Sequence, residues 1–361
     1  MRVIMSAGGT GGHVYPALAL ARYLKEHEQA EIIFIGTNAK MEAAEVPKAG
    51  FAFHGLEARG FQGSISNRVA CLVQVQKNMT AVRRLIKEVK PDIVIGFGGY
   101  VTVPVMLAAK LAKIPTMIHE QNSVAGLANK TIGKLMDQIV ISFSRSFRDF
   151  PAAKTKLLGS PRASEAVLCK KNPAVFRKLG LQSSKPLIYI VMGSLGSESV
   201  NAKMIAVLEE LNRQTDIQVV YVTGKEHYEA MHRRLQNLQD HIKVVPYVDQ
   251  MQLLPYIDVI CCRAGATTLA EITALGIPAV VIPSPYVAHN HQVLNAEELG
   301  EREAAMIIQE KDLTCEGIVD KLLTLCRNTA KREQMQRNSK ALGYPEASQN
   351  ITALMKELIN K

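Results

Sequence analysis

The sequence predicts an α/β protein built as two doubly wound, parallel-sheet halves, and three observations carry that prediction. Short, nearly continuous runs rich in Val and Ile alternate with longer segments of helical spacing. The rhythm breaks once, near the middle of the chain, and then restarts. Glycine-rich turns follow several of the runs at their C-terminal ends.

In the first half the apolar runs fall at residues 3–7, 31–36, 92–97, 116–120 and 138–143. In the second they fall at 187–192, 218–223, 243–248, 258–262 and 279–283. Continuous rather than alternating hydrophobicity is expected of parallel strands buried on both faces. The intervening segments, such as 16–25 and 202–214, carry helical spacing. Repeated strand–helix units give a parallel sheet with helices on both sides, hence two Rossmann-like domains separated by a deep cleft. Between about 144 and 185 the pattern lapses, and Leu158-Gly159-Ser160-Pro161-Arg162 reads as a strand end running into a linker. The boundary is therefore placed at 160/161, giving domains of 1–160 and 161–344. Residues 345–361 read as one amphipathic helix, with Ala347, Ile351, Leu354 and Leu358 on one face, which is assigned to complete the first domain.

A chain of 361 residues suits two domains, and 47% hydrophobic with 21% charged residues excludes disorder. With 43 Lys and Arg against 33 Asp and Glu, the net charge of +10 favours an anionic partner: nucleotide, nucleic acid or acidic membrane surface. Aromatics at 5% and the absence of Trp leave few stacking platforms, which argues against nucleic acid. The six cysteines form no CxxC and no zinc spacing, and adjacent Cys261 and Cys262 read as core filling. This fits a reduced, cytoplasmic protein with no metal site. No apolar run approaches the ~18 residues of a membrane span. The N-terminus reads as a first strand rather than a signal peptide.

The strongest local signal is Gly8-Gly9-Thr10-Gly11-Gly12-His13, directly after the first run. Glycines there let backbone N–H groups approach a ligand, and the positive end of the following helix favours an anion. The loop is no Walker motif, and no acidic residue ends the second run at Ile35-Gly36-Thr37, so a dinucleotide site is disfavoured. Gly96-Phe97-Gly98-Gly99-Tyr100 and Gly193-Ser194-Leu195-Gly196-Ser197 follow two further strands. Three such loops at C-terminal strand ends face the ligand crevice of an open α/β sheet.

Residues Arg263-Ala264-Gly265-Ala266-Thr267-Thr268-Leu269-Ala270-Glu271 form the next signal. Ala266 and Thr267 offer amides and a hydroxyl at a helix start, which suit phosphate. Glu271 lies deeper and suits a sugar diol, because a carboxylate accepts two hydroxyl hydrogens. Together they suggest a nucleotide. His119-Glu120-Gln121-Asn122 and His289-Asn290-His291-Gln292 are polar clusters without metal spacing, suited to sugar hydroxyls.

These motifs in order, together with Gly-Phe-Gly-Gly-Tyr-Val at 96–101 and Asn-His-Gln at 290–292, resemble one family over nearly the whole chain. It is the bacterial glycosyltransferase family that adds N-acetylglucosamine to lipid-linked muramyl-pentapeptide, converting lipid I to lipid II in peptidoglycan synthesis. The resemblance implies the GT-B architecture, with an acceptor- and membrane-facing first domain and a second domain that binds UDP-N-acetylglucosamine as donor substrate. It implies no cofactor, metal-independent chemistry and peripheral attachment to the cytoplasmic face of the cell membrane. Carried onto this sequence, it places the donor against Thr10, Gly11, Gly12, Asn122, Arg162, Ser194, Val248 and Gln292, with the ribose on Glu271, and Ala266 and Thr267 join this donor set from the reading of the helix start. Val248, read as ending a strand, would hold the uracil edge. Gly98, Gly99 and Tyr100 become the acceptor or phosphate loop. Three positions depart from the pattern: Met192 and Val103 replace glycines, and Ser160 replaces an Asn. Met192 is expected to narrow the space beside Ser194.

An α-linked donor and a β-linked product require one in-line displacement through an oxocarbenium-like state. His13 is the leading base for the acceptor 4-hydroxyl, with Glu120 its rival. A UDP-N-acetylglucosamine 2-epimerase of the same fold, or a non-catalytic nucleotide-sugar-binding membrane protein, are the alternatives. The segment 68–90 reads as a helix with Leu72, Val75, Met79, Val82, Leu85 and Val89 on one stripe. Its basic residues Arg83, Arg84 and Lys87, with Phe61 and Ile65 nearby, are expected to rest on anionic lipid.

Overall fold

The computed structural model describes residues 1–57, 65–193 and 196–361. The chain packs into two compact units, one of residues 1–164 with 346–361 and one of residues 165–345.

Among the described residues the first unit holds seven strands: β1 Arg2–Ala7, β2 Glu31–Thr37, β3 Ala52–Leu56, β4 Ile93–Gly98, β5 Thr116–Glu120, β6 Gln138–Ile141 and β7 Thr155–Leu157. They form one parallel sheet in the order β3-β2-β1-β4-β5-β6-β7. Successive side chains of β1 go to opposite faces. Val3 and Met5 pack with Val14, Leu18 and Leu20 of the helix Gly11–Glu28. Ile4 packs with Val82, Ile86 and Val105. The C-terminal helix Ala347–Ile359 lays Ile351, Leu354, Met355 and Leu358 on the β1 core, and Lys356 pairs with Glu28 at 2.7 Å.

The second unit holds β8 Leu187–Val191, β9 Gln218–Val222, β10 Ile242–Val245, β11 Val259–Cys262, β12 Ala279–Val281 and β13 Met306–Ile307. These are parallel in the order β10-β9-β8-β11-β12-β13. Each sheet reverses its direction of winding once, between β1 and β4 in the first and between β8 and β11 in the second. Loops leaving the C-terminal ends of such neighbours diverge, and the crevice they leave is where open α/β sheets bind ligands. The glycine loops after β1, β4 and β8 and the Arg263–Ala266 turn after β11 all stand at these two points.

Three strands escaped the sequence reading: β3, β7 and β13 are edge strands, short or interrupted by His and Gly, and lack a long apolar run. The expected strand over 243–248 stops at Val245, because Pro246 has no N–H for the ladder. Val248 therefore lies in a connecting segment and does not end a strand. No described helix is long and apolar enough to cross a membrane.

Candidate active site

In the first unit, the turn after β1 runs through Gly9, with a φ of +93°, into the N-terminus of the helix Gly11–Glu28, which starts after Thr10. The loops after β1 and β4 dock on each other. Gly8 N–H donates to the Gly98 carbonyl at 3.2 Å. A Cβ on Gly99 would stand 2.5 Å from the Gly8 carbonyl oxygen, so only glycine fits there. Gly98 has a φ of +111°, and a Cβ on it would stand 2.9 Å from the His13 ring. The imidazole therefore packs closely against the second loop at Gly98. Its Nδ1 is 2.9 Å from the Gly8 carbonyl, with Thr10 Oγ1 at 3.5 Å. A carbonyl can only accept, so Nδ1 carries a proton, and in the neutral ring Nε2 carries the lone pair. Tyr100 is exposed beside this pair of loops, as are Thr10 and Gly12.

Glu42, fully buried, holds this arrangement from behind. Its carboxylate accepts Gly9 N–H at 3.2 Å and Thr37 N–H at 3.0 Å, tying the first loop to the end of β2. No sequence motif pointed to it. The Gly9 amide is thus engaged, leaving an anion the helix-start amides at Thr10, Gly11 and Gly12.

The cluster after β5 is structural at its core. His119 is buried, donates from Nε2 to the Gly159 carbonyl at 2.9 Å and accepts from Gln121 at Nδ1. Burial pushes its pKa down to about 4, against a smaller opposing effect from the Gly159 bond, so it is neutral near pH 7. Gln121 also donates to the Phe97 carbonyl at 2.9 Å and so braces the second glycine loop. Glu120 is 1% exposed, and both its oxygens are engaged. They accept the N–H of Asn122 and of Gly126 and the side-chain amide of Asn129, each at 3.0 Å. This carboxylate organises the 121–129 loop and leaves Asn122 half-buried at its edge. Arg162 is nine-tenths buried, with its guanidinium 5.9 Å from the Tyr15 ring centre, and Ser160 caps its N–H.

In the second unit, the loop after β8 turns through Gly193 and Gly196, both at positive φ, into the helix Glu198–Leu211. Ser194 lies outside the described residues. The Met192 side chain is 3% exposed and packs in the unit's apolar core with Ile190, Val200 and Met204, and the space expected to narrow beside Ser194 lies outside the described residues. A buried ion pair holds the loop's far end. Arg263 meets Glu310 at 2.6 Å and donates to Ser197 Oγ at 2.8 Å, while Ser199 donates to Glu310 at 2.7 Å. Burial would raise the Glu310 carboxyl's pKa, but the bonds from Ser199 and Arg263 outweigh it and hold it below the usual range.

The helix Ala266–Leu275 begins at β11's C-terminal end, after Gly265. The first N–H groups of a helix have no partner within it, and Thr267 Oγ1 is buried with no hydrogen-bond partner among the described residues. Glu271, one and a half turns in, is completely buried, and Gln250 Nε2 donates to its Oε2 at 2.5 Å. After burial itself, the negative charge of Glu271 is the next cause that pushes the Tyr189 phenol well above its ordinary range. Gln292 sits in the first turn of the helix His291–Gly300 and accepts Ser284 N–H at 2.9 Å. Before it, His289 and Asn290 both adopt left-handed backbone, with φ of 55° and 50°, a conformation that costs about 1–3 kcal/mol per non-glycine residue. Val248 is half-buried, two residues before Gln250.

Among the described residues no cluster of His, Cys, Asp or Glu could hold a metal ion. Cys261 and Cys262 are fully buried in β11. The helix Ile65–Val89 presents Leu72, Val73, Lys77, Arg83, Arg84 and Lys87 to solvent and buries Cys71, Asn78, Val82 and Ile86. Leu72, at 59% exposure, is therefore not part of the core stripe. Phe61 and the Ile65 side chain lie outside the described residues.

Two glycine-loop sheets, one offering an oriented imidazole and the other helix-start amides above a buried carboxylate, define a nucleotide-sugar-dependent glycosyltransferase. The models of the glycosyltransferase family 28 N-terminal and C-terminal domains match residues 3–141 and 187–351, and the chain belongs to that family. A relative from Lactiplantibacillus plantarum is 42% identical over 99% of this chain and 100% of its own length. Its name is UDP-N-acetylglucosamine–N-acetylmuramyl-(pentapeptide) pyrophosphoryl-undecaprenol N-acetylglucosamine transferase. The crystal structure of Acinetobacter baumannii MurG superposes with a TM-score of 0.78 at 29% identity, covering 99% of both chains. A UDP-GlcNAc 2-epimerase from Neisseria meningitidis, bound to UDP-GlcNAc, reaches 0.70 at 14% identity, covering 99% of this chain and 100% of its own. That likeness is one of fold alone.

Proposed function

We propose that the chain transfers N-acetylglucosamine from UDP-N-acetylglucosamine to the 4-hydroxyl of the muramyl sugar of lipid I, giving lipid II. The observation that carries this reading is full-length identity of 42% to a transferase of that name, against 14% to the epimerase.

In this reading the second unit binds the donor. Glu271 accepts the ribose hydroxyls, Val248 meets the uracil, and the amides at Ala266 and Thr267, with Ser194 and Gln292, take the diphosphate. Preorganised amides at a helix start stabilise the leaving diphosphate as its charge develops, with no bound metal required. The Thr267 hydroxyl, without a partner among the described residues, supports a ligand there. Thr10, Gly11, Gly12, Asn122 and Arg162 complete the donor set, and Gly98, Gly99 and Tyr100 serve the acceptor side. His13 Nε2 takes the proton of the 4-hydroxyl as that oxygen displaces UDP from the opposite face. The bond from Nδ1 to the Gly8 carbonyl supports this role, because it fixes the basic tautomer. Glu120 orders the loop that carries Asn122 instead of moving a proton, since its oxygens are engaged by N–H donors.

The exposed face of Ile65–Val89, apolar at Leu72 and Val73 and basic at Arg83, Arg84 and Lys87, is the proposed contact with anionic lipid at the cytoplasmic membrane face. Incubation with radiolabelled UDP-N-acetylglucosamine, with and without lipid I, tests the activity. Label entering the lipid fraction only when lipid I is present is the expected result. Acceptor-independent release of a labelled free sugar epimer would favour the epimerase, and no turnover would leave a binding protein.

A further inference from the structure

We propose that Gln250 occupies the seat of a ribose hydroxyl on Glu271 and must yield it when the nucleotide binds, which makes Gln250 a specificity-determining residue of the donor site. The inference rests on the reading of Glu271 as the ribose-binding carboxylate.

Glu271 has no exposed surface, so no ligand reaches its carboxylate while the present side-chain arrangement holds. The group donating to Oε2, at 2.5 Å, is the carboxamide of Gln250. Gln250 is itself half-buried and lies at the start of the short helix Gln250–Leu253. The backbone there is held from the outer side. Asp249 accepts Met251 N–H at 3.2 Å and the Gln252 side-chain amide at 2.8 Å. The side chain of Gln250 can therefore rotate away without unwinding the turn that carries Val248.

The chemistry of the two occupants matches. An amide N–H and a sugar O–H are both neutral donors that give one hydrogen to a carboxylate oxygen. A buried carboxylate oxygen that loses a donor is costly, so the amide of Gln250 serves Oε2 until a nucleotide arrives. A ribose brings two vicinal hydroxyls, either of which can take the place on Oε2 that the Gln250 amide holds. A sugar lacking both hydroxyls has nothing to offer the carboxylate and leaves the amide in place.

Calorimetric titration with UDP and with 2′,3′-dideoxy-UDP tests the proposal on the full chain. Gln250→Ala should bind UDP about tenfold more tightly, the equivalent of the roughly 1.4 kcal/mol of one net hydrogen bond no longer broken on binding. Its affinity for the dideoxy nucleotide should equal that of the unsubstituted protein. In a Glu271→Ala background, Gln250→Ala should change nothing further. Gln250→Ser serves in its place if the alanine variant does not fold. Unchanged or weaker UDP binding, or an equal gain for both nucleotides, would overturn the proposal. So would a crystal structure of the UDP complex with Gln250 Nε2 still on Glu271 Oε2. Glu271→Ala that leaves UDP affinity untouched would instead overturn the ribose reading beneath it.

Discussion

Gly98→Ala probes the join between the two loops that hold His13. The new methyl meets two costs. The backbone at φ of +111° disfavours any side chain, at about 1–3 kcal/mol. The methyl would also stand 2.9 Å from His13 Cδ2 and Nε2, well inside ordinary contact at about 3.5–4.0 Å. The ring must therefore retreat by roughly half an ångström to one ångström. A reacting group misplaced by about 1 Å loses on the order of 10²-fold in rate. For a unit of this size, the backbone strain lowers Tm by about 2–4 °C per kcal/mol. Steady-state turnover at saturating donor and acceptor, with UDP calorimetry and thermal unfolding alongside, gives the readout. The expected pattern is a fall in kcat of about 10–10²-fold, UDP affinity unchanged, and a Tm lower by several degrees. Wild-type kcat in a variant of lowered Tm would mean that the ring's seat on Gly98 has no part in the reaction.

Three further outcomes follow from the same geometry. Glu271→Ala should weaken UDP binding by about 10–150-fold, the range of a hydrogen bond to a charged group at about 1.5–3 kcal/mol, as read by calorimetry on folded protein. His119 is neutral and buried with a pKa of about 4, whereas the unfolded chain binds its proton near pH 6.5. The unfolded state therefore binds more protons below pH 6.5, and the first unit should lose about 3 kcal/mol of stability as pH falls from 6.5 to 4. Denaturant unfolding of His119→Gln should lack that part of the slope, and an identical pH profile would remove His119 as its source. Changing Arg83, Arg84 and Lys87 together to Glu should cut partition onto anionic vesicles by about 10²-fold at low salt while sparing a water-soluble acceptor. Undiminished vesicle binding would place the membrane contact elsewhere.

The parallel sheets were legible because strands such as β1, β4 and β8 are buried on both faces and so read as unbroken apolar runs. The glycine loops were legible for a related reason: Gly98 and Gly99 stand where any side chain would strike His13 or Gly8, so the sequence must carry glycine there. Edge strands β3, β7 and β13 were hidden because an edge needs only half a core. The burial of Met192 was not legible, because one residue's offset along a strand decides between loop and core, and its side chain falls on the core side. Glu42, Gln250 and the Arg263–Glu310 pair were beyond reach in a different way. Each acts across a distance in sequence, as Glu42 does on Gly9 and Gln250 on Glu271, and nothing local to those residues announces the partner.

The proposed reaction converges on the proton that the acceptor's 4-hydroxyl gives to His13 Nε2. The direct measurement is turnover of His13→Ala at saturating lipid I and UDP-N-acetylglucosamine, with UDP affinity measured on the same preparation. A loss of about 10²–10⁴ in kcat with UDP binding intact is the expected result, the scale of a missing general base. Turnover within a few-fold of the unsubstituted protein would contradict it and leave His13 as an orienting group alone.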